Sequence, residues 1–333
     1  MPDPRFLVLR LGSLGDIVHT FPAVAALRES FPTAEIVWLT HPRWKLLVES
    51  SNLVSQVWAT ESRSIHSLRK IIEDLRALHW DAAIDYQGLW KSAALAFFGG
   101  IKCRIGFSSE TIREFGVPIL YTDRVGCSTT HIADQNGELS LRAGARNPVA
   151  AFSLHVPKQD DCGTRDYLQN LGLDRYIVLS PGGGWRSKCW PPERFGRLSK
   201  MIRDSLGLRC VVNYGPGEDD LALAVRECRG DAEPVPYNGP LGPLMALLRN
   251  AACIVGGDTG PLHLAIALGT PAVALFGPTD PARNGPYHTD DIVLRAPGAV
   301  KTHSRIDQTD PSMLQIQVNE VFDAIRRRLG IPA

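Results

Sequence analysis

The residues between Val255 and Ala265 are of types that can bind an anion. They read VGGDTGPLHLA, an apolar strand end followed by a small polar loop and a helical pattern. A helix that begins at this loop offers unpaired amides and the positive end of its dipole, which favour a diphosphate. Thr259 adds a hydroxyl donor, and His263 lies one turn into the helix. The alternative is that Asp258 or Thr259 only caps the helix.

A second loop, at residues 181–188, reads PGGGWRSK and follows another apolar run. Its three glycines let the backbone approach a ligand closely, and Lys188 can act as a point charge on a phosphate. The GxxxxGK[ST] spacing of a Walker A loop is absent. The alternative is a flexible turn with a solvated lysine.

The third loop, at residues 12–16, reads GSLGD and follows the first apolar run. Asp16 is placed to take a proton from an acceptor hydroxyl, or alternatively to stabilise the dipole of the first helix. The loop lacks GxGxxG, which disfavours a nicotinamide site, although Glu35 lies near the distance expected for a ribose-binding acid.

The region at residues 63–113 has a modest excess of basic side chains, with eight basic and five acidic residues. They can contact an anionic acceptor if they converge, or form an ordinary solvated helical face. The residues predicted to bind an acceptor are Ser13, Arg63, Lys91, Arg104 and Arg113.

Strands that alternate with helices must position these loops. In the first half, apolar runs predict strands at residues 6–9, 35–39, 54–58 and 82–85, with helices at 17–30 and 67–78. In the second half, strands are predicted at 176–180, 210–214, 253–257 and 272–276, with helices at 191–206 and 311–329. This alternation is typical of βαβ units and a mostly parallel sheet, whose ligands bind at the carboxyl ends of the strands.

Each half begins with a strand, a glycine-rich turn and a helix, so the sequence predicts two Rossmann-like domains. We expect a first domain at 1–155, a linker at 156–175, a second domain at 176–310 and a C-terminal helix at 311–330.

Composition excludes several classes of protein. The 333 residues include 36 basic and 35 acidic side chains, a net charge of +1, with 44% hydrophobic and 21% charged residues. This balance excludes a disordered chain and argues against a dedicated nucleic-acid binder. Seven widely spaced cysteines without CxxC argue against a disulfide framework or a zinc site, and predict a cytoplasmic protein. Neither a signal peptide nor a transmembrane segment is predicted.

Several segments together resemble the bacterial lipopolysaccharide heptosyltransferases of glycosyltransferase family 9. The resemblance covers nearly the whole chain, and DTGPLHLA and GPTDP carry it most specifically. Within the family, IDYQGLWKSAAL with the downstream His131 favours type I over type II. The segments are GDIVHTFPAVAAL, DAAIDYQGLWKSAAL, SPGGGWRSKCWP and GGDTGPLHLAIALGTPAVALFGPTDPARNGPY.

The resemblance implies a GT-B fold, two Rossmann-like domains facing a central cleft, with the C-terminal helix crossing back to the first domain. It implies inverting transfer of L-glycero-D-manno-heptose from ADP-heptose to Kdo of the inner core on lipid A. No metal or other cofactor is expected. The enzyme is expected to be peripheral on the cytoplasmic face of the inner membrane.

The resemblance also assigns roles to residues. Asp16 matches the general base, Lys188 is expected to stabilise the departing ADP, Glu218 matches a carboxylate at the nucleoside, and Gly239 falls near the adenine. Some relatives have hydroxyl-bearing residues where this chain has glycines, which leaves only backbone contacts there. The donor-binding set is Gly183, Gly184, Lys188, Glu218, Gly239, Asp258, Thr259, Gly260 and His263.

Three other functions stay open at this point. A related heptosyltransferase would add a later heptose or another sugar. A Rossmann-type oxidoreductase would bind a nicotinamide cofactor. A non-catalytic binding protein would bind ADP-heptose without turnover.

Overall fold

Short apolar runs form the strands of two parallel sheets, one in each of two structural units. In the computed structural model, the chain divides into residues 1–155 and 156–333. The structure describes residues 3–61, 65–112, 114–228, 234–287, 289–302 and 307–332.

The first unit holds a six-stranded sheet in the order β3-β2-β1-β4-β5-β6, with every neighbouring pair parallel. Its strands are β1 (Arg5–Leu9), β2 (Glu35–Thr40), β3 (Gln56–Ala59), β4 (Ala82–Asp85), β5 (Arg104–Phe107) and β6 (Asp123–Val125). Its α-helices are α1 (Leu14–Val18), α2 (Phe21–Ser30), α3 (Lys45–Glu49), α4 (Ile65–Arg76), α5 (Trp90–Phe98) and α6 (Ile132–Arg142).

Strand register aligns three loops at one edge of this sheet. Leu9, the last residue of β1, pairs with Leu39 on one side and with Asp85 on the other. Since all three strands are parallel, the segments that follow β1, β2 and β4 leave the sheet at the same edge. The core beneath is apolar and includes the fully buried Leu7 and Val37.

The second unit holds a sheet in the order β12-β11-β10-β7-β8-β9, again with every neighbouring pair parallel. Its strands are β7 (Tyr176–Ser180), β8 (Arg209–Asn213), β9 (Val235–Tyr237), β10 (Cys253–Gly257), β11 (Ala272–Phe276) and β12 (Ile292–Arg295). Its α-helices are α7 (Lys158–Asn170), α8 (Pro192–Leu206), α9 (Asp219–Glu227), α10 (Leu241–Arg249), α11 (Gly260–Ala267), α12 (Pro281–Asn284), α13 (Pro311–Gln315) and α14 (Val318–Arg328).

Numbered within each unit, both sheets have the order 3-2-1-4-5-6, which is the Rossmann order. Two Rossmann-like units in one chain confirm the predicted α/β class and the GT-B type of fold. Among the described residues, no helix combines the length and apolarity that a membrane span requires.

Two predicted helices are each interrupted. The helix predicted at 17–30 is divided into α1 and α2, because Pro22 lacks an amide hydrogen and cannot continue a helix that starts at α1. The helix predicted at 311–329 is divided into α13 and α14 at Ile316, which is extended and whose carbonyl accepts a hydrogen bond from Trp190 at 3.0 Å.

The segment predicted as a linker, 156–175, contains helix α7. Its Asp161 forms an ion pair of 2.9 Å with Arg249 of α10, so this helix is an integral part of the second unit.

The C-terminal helix α14 packs on the second unit. The buried residues of α14, including Phe322 and Ile325, belong to the core of the second unit together with Leu179 and Leu275. The apolar face of the helix is therefore used to cover the second sheet.

Candidate active site

A candidate anion site lies between the end of β10 and the start of α11. Asp258 and Thr259 follow the strand, and Gly260 is the first residue of the helix. Thr259 occupies the N-cap position, yet its hydroxyl makes no capping hydrogen bond and has no partner among the described residues, although the side chain is 93% buried. An unpartnered buried hydroxyl beside the open amides of a helix N-terminus is suited to an anionic ligand. The capping alternative for Thr259 is therefore disfavoured.

Asp258 connects the lysine and the histidine of this site. Its Oδ1 lies 2.9 Å from His263 Nε2, and its Oδ2 lies 3.8 Å from Lys188 Nζ. Lys188 also donates a hydrogen bond to the backbone carbonyl of Asp258, and Asn284 donates to Oδ2 at 3.4 Å. Burial alone would raise the pKa of the Asp258 carboxyl, but the His263 hydrogen bond and the Lys188 charge hold it below its usual range.

Lys188 is itself fixed in place, since it is 92% buried and its Nζ lies 4.4 Å from the centre of the Trp185 ring. Contacts with a carbonyl, a carboxylate and an aromatic ring hold the Lys188 ammonium group in one position. This is what a diphosphate site needs from a cation.

The glycine-rich loop after β7 is held by Glu218, at the start of α9. The Glu218 carboxylate accepts hydrogen bonds from Gly183 N at 3.1 Å and from Gly215 N at 2.7 Å. A Cβ built on Gly183 would lie 2.8 Å from Cys189 Sγ and 3.6 Å from atoms of both Lys188 and Thr259. The lack of a side chain at Gly183 therefore leaves room beside the anion site.

The structure thus brings together most of the residues predicted to bind the donor. One cluster contains Lys188, Asp258, Thr259, Gly260 and His263. Gly183 lies beside this cluster, and its amide donates a hydrogen bond to Glu218. The remaining two are Gly184, which is exposed in the same loop, and Gly239, which lies between β9 and α10.

In the first unit, Asp16 is held by three donors. Its Oδ1 lies 2.7 Å from Arg10 Nη2, while its Oδ2 accepts hydrogen bonds from the Ser13 amide at 3.0 Å and the Ser13 hydroxyl at 2.9 Å. Arg10 is 94% buried and also donates to the carbonyl of Tyr86. Asp16 therefore stabilises the start of α1, which was one of the two roles predicted for it. Its side chain is also partly exposed, as the other predicted role, proton transfer from an acceptor hydroxyl, requires.

A pocket of about 380 Å³ opens beside Asp16, at the edge where β1, β2 and β4 end. Three of the residues predicted for the acceptor side, Ser13, Asp16 and Lys91, line it. Gln87 fixes one wall, because its Oε1 accepts hydrogen bonds from Leu11 N at 2.9 Å and from the next amide at 3.3 Å.

The sequence reasoning missed other residues of this pocket. His41, Arg43 and Trp44, in the turn after β2, also line it. The local sequence does not place this turn at the pocket, because its position depends on β2 lying next to β1 in the sheet.

Of the remaining predicted acceptor residues, the structure describes Arg104, which lies away from the pocket. Arg104 is the first residue of β5, at the opposite end of the strands from Asp16, and its guanidinium donates to the Leu120 carbonyl at 2.6 Å and lies over Phe97. Arg63 and Arg113 lie outside the described residues.

A second carboxylate, Asp85, is the last residue of β4, and its hydrogen bonds serve to hold the protein structure. It accepts hydrogen bonds from the hydroxyls of Tyr121 at 2.7 Å and Ser92 at 2.8 Å, and from the amides of Gln87 and Gly88. Burial raises the pKa of its carboxyl, and these hydrogen bonds only partly oppose that shift. Asp85 thereby anchors the loop that carries Gln87.

Within the described part of the chain, no group of three or more His, Cys, Asp or Glu side chains is arranged to hold a metal ion.

Two Rossmann-like units, with a basic anion site in one and a pocket beside a carboxylate in the other, are the arrangement expected of a glycosyltransferase of the GT-B class. Comparison with known proteins is more specific. The model of glycosyltransferase family 9 (heptosyltransferase) matches residues 68–312, and the chain belongs to that family.

Curated relatives resemble nearly the whole chain. Lipopolysaccharide heptosyltransferase 1 of Escherichia coli O18:K1:H7 (strain RS218 / NMEC) is 31% identical over 307 residues, which cover 88% of this chain and 92% of that protein. Lipopolysaccharide heptosyltransferase 3 of Escherichia coli (strain K12) is 25% identical over 333 residues, which cover 95% of each chain.

Solved structures share the fold. A glycosyl transferase of family 9 from Veillonella parvula DSM 2008 superposes with a TM-score of 0.87 at 23% identity, covering 99% of this chain and 98% of that one. The Escherichia coli heptosyltransferase WaaC with ADP-2-deoxy-2-fluoro heptose superposes with a TM-score of 0.75 at 25% identity, covering 97% and 99% of the two chains.

Proposed function

We propose that this enzyme transfers L-glycero-D-manno-heptose from ADP-heptose to Kdo of the lipopolysaccharide inner core, with inversion at the anomeric carbon. The observation that carries the proposal is the unpartnered Thr259 hydroxyl beside Lys188 at the N-terminus of α11. Family membership and a related structure with ADP-2-deoxy-2-fluoro heptose support the diphosphate of a nucleotide sugar as the anion.

In the second unit, Lys188 and the first amides of α11 bind the diphosphate and stabilise the charge that develops as ADP departs. Asp258 keeps Lys188 and His263 in place through the contacts described above. Glu218 holds the glycine-rich loop in position, so that the backbone of Gly183 borders the donor.

In the first unit, Asp16 is the general base. As the acceptor hydroxyl attacks the anomeric carbon, its proton passes to the Asp16 carboxylate. The new glycosidic bond forms on the face opposite the breaking bond to the diphosphate, so a single displacement inverts the configuration. Arg10 and Ser13 orient the carboxylate toward the pocket, which contributes by positioning the reactants.

The direct test is incubation of the purified protein with ADP-heptose and Kdo-lipid A. Mass spectrometry is expected to find acceptor that is heavier by one heptose, and NMR to find the inverted anomeric configuration. No product, from a preparation that is folded and binds ADP and with an acceptor that a known heptosyltransferase uses, would contradict the proposal.

A second candidate is the addition of a later heptose, because a lipopolysaccharide heptosyltransferase 3 is similar over 95% of both chains. An acceptor that already carries heptose on Kdo separates the two. Preference for that acceptor over Kdo-lipid A would favour the second candidate.

We also place the reaction at the cytoplasmic face of the inner membrane, where a lipid-anchored acceptor is available. Exposed apolar side chains on and near α5 support this placement: Trp90, Phe97, Phe98, Phe115 and Ile119. Cosedimentation with vesicles of inner-membrane lipids is expected, and Phe115→Ser with Ile119→Ser is expected to weaken it.

A further inference from the structure

The pocket beside Asp16 has an excess of positive charge that the proposed chemistry has not yet used. Arg43 and Lys91 both line it, and among the described residues no acidic side chain forms an ion pair with either. Asp16 is the acidic residue of the lining, and its charge is already offset by the buried Arg10. A ligand that occupies this pocket therefore gains most if it carries a negative charge.

Arg43 is presented in a defined way by the turn after β2. Its guanidinium lies over the ring of Trp44, 4.9 Å from the ring centre, and its amide donates to His41 Nδ1 at 3.2 Å. Stacking on an aromatic face limits the rotamers of the guanidinium while leaving its N–H groups open to a ligand.

Trp44 also forms a flat wall next to the first loop. A Cβ added to Gly12 would lie 3.0 Å from Trp44 Nε1, so the indole lies directly against the loop that carries Ser13 and Asp16. The pocket volume of about 380 Å³ is within the range of small-molecule sites. An aromatic wall, two cations and a carboxylate in such a volume suit one acidic sugar ring.

We propose that Arg43 binds the carboxylate of an acidic sugar acceptor, with Lys91 as the second cation and Trp44 as the surface on which the sugar ring lies. The inference rests on the proposed function, which supplies the acceptor class, and assigns acceptor specificity to the turn at residues 41–44. A carboxylate is the acidic group that the acceptor of the proposed function carries, and its two oxygens match the paired N–H groups of a guanidinium.

The test is the substitution Arg43→Gln, with Lys45→Gln as the matched control. Lys45 is the next basic residue, lies outside the pocket lining and pairs with Glu49 at 3.5 Å. For R43Q we expect the KM for Kdo-lipid A to rise about 10- to 100-fold, since hydrogen bonds to charged groups contribute about that much. The KM for ADP-heptose is expected to be unchanged, and K45Q to behave as the wild type for both substrates.

Equilibrium binding separates this inference from the proposed function, because it requires no turnover. Free Kdo and its methyl ester are titrated into the wild type and R43Q, with thermal unfolding to verify that both are folded. The wild type is expected to prefer the acid to the ester, and R43Q to lose that preference.

Three results would overturn the assignment of Arg43. They are equal binding of acid and ester by the wild type, an undiminished preference in R43Q, and displacement of Kdo by inorganic phosphate at comparable concentration. If the preference depends on Arg43 but no heptose is transferred, the carboxylate site stands and the proposed function fails.

Discussion

Two carboxylates occupy equivalent places in the two units but have opposite environments. Asp85 ends the fourth strand of the first sheet, and Asp258 directly follows the fourth strand of the second. Burial raises the pKa of the Asp85 carboxyl, whose hydrogen-bond partners are neutral hydroxyls and amides. Asp258 is also buried, but His263 and Lys188 hold the pKa of its carboxyl below its usual range.

The difference shows how one strand order supports two kinds of site. In the first unit the buried carboxylate anchors a loop, and the carboxylate available for chemistry, Asp16, comes from the loop after β1. In the second unit the buried carboxylate fixes Lys188, and the helix that follows is left open for an anion. The same sheet edge therefore carries a base in one unit and a diphosphate site in the other.

The largest expected effect is on turnover in Asp16→Asn. The amide keeps the size of the side chain but cannot take a proton, so kcat for heptose transfer should fall by about 10²- to 10⁴-fold. Steady-state transfer assays measure it. A loss of less than about fivefold would remove Asp16 from the role of base.

Asp258→Asn is expected to destabilise the second unit by about 3 kcal/mol at neutral pH, because it leaves Lys188 buried without its carboxylate. The folded pKa of Asp258 is lowered, so its contribution is present above the unfolded pKa of about 3.9 and is lost as pH falls through the folded pKa. Urea unfolding at pH 7, 5, 4 and 3 measures this. The difference in free energy of unfolding between wild type and variant should be constant from pH 7 to 5 and should decrease below about pH 4. A difference that increases as the pH falls would contradict the assigned role of Asp258.

At Asp85, the comparison predicts that the neutral isostere is tolerated. In Asp85→Asn the amide oxygen still accepts from Gln87 and Gly88, and the hydroxyls of Tyr121 and Ser92 can turn to accept. In Asp85→Ala the Tyr121 hydroxyl and the two amides lose their acceptor, while Ser92 can still donate to the Leu89 carbonyl. D85A should therefore be less stable than D85N by about 2 kcal/mol in urea unfolding. Equal losses in the two variants would mean that the ionised carboxylate is required.

The smallest effect is expected at Thr259. Because its hydroxyl has no partner among the described residues, Thr259→Val should leave the free energy of unfolding within about 0.5 kcal/mol of the wild type. ADP should bind about tenfold more weakly, since a donor to the diphosphate is lost. Calorimetric titration with ADP measures the second effect, and unchanged ADP affinity would refute the assigned contact.

The sequence predicted the second-unit site better than the first. Asp258, Thr259 and His263 lie within six residues on one strand–loop–helix segment, so local pattern was enough to place them together. The site in the first unit combines three separate segments, and Arg43 was missed because its place depends on β2 lying next to β1. Arg104 was predicted for the acceptor because it is basic, but β5 begins at this residue and so places it at the wrong edge.

The same limit applies to the fold. The apolar runs of β1, β4, β7 and β10 were visible, whereas β6 and β9 have only three residues each and show no periodicity. The role of Asp85 depends on Tyr121, 36 residues away, and no local signal joins them.

Calorimetric titration of ADP into the wild type, D16N and Lys188→Ala tests the division of roles between the two units most directly. We predict that D16N binds ADP with wild-type affinity, although its rate of heptose transfer is far below that of the wild type. K188A should bind ADP at least about tenfold more weakly, because a charged hydrogen bond to the diphosphate is lost. Wild-type ADP affinity in K188A together with weakened affinity in D16N would contradict the assignment of donor and acceptor sites.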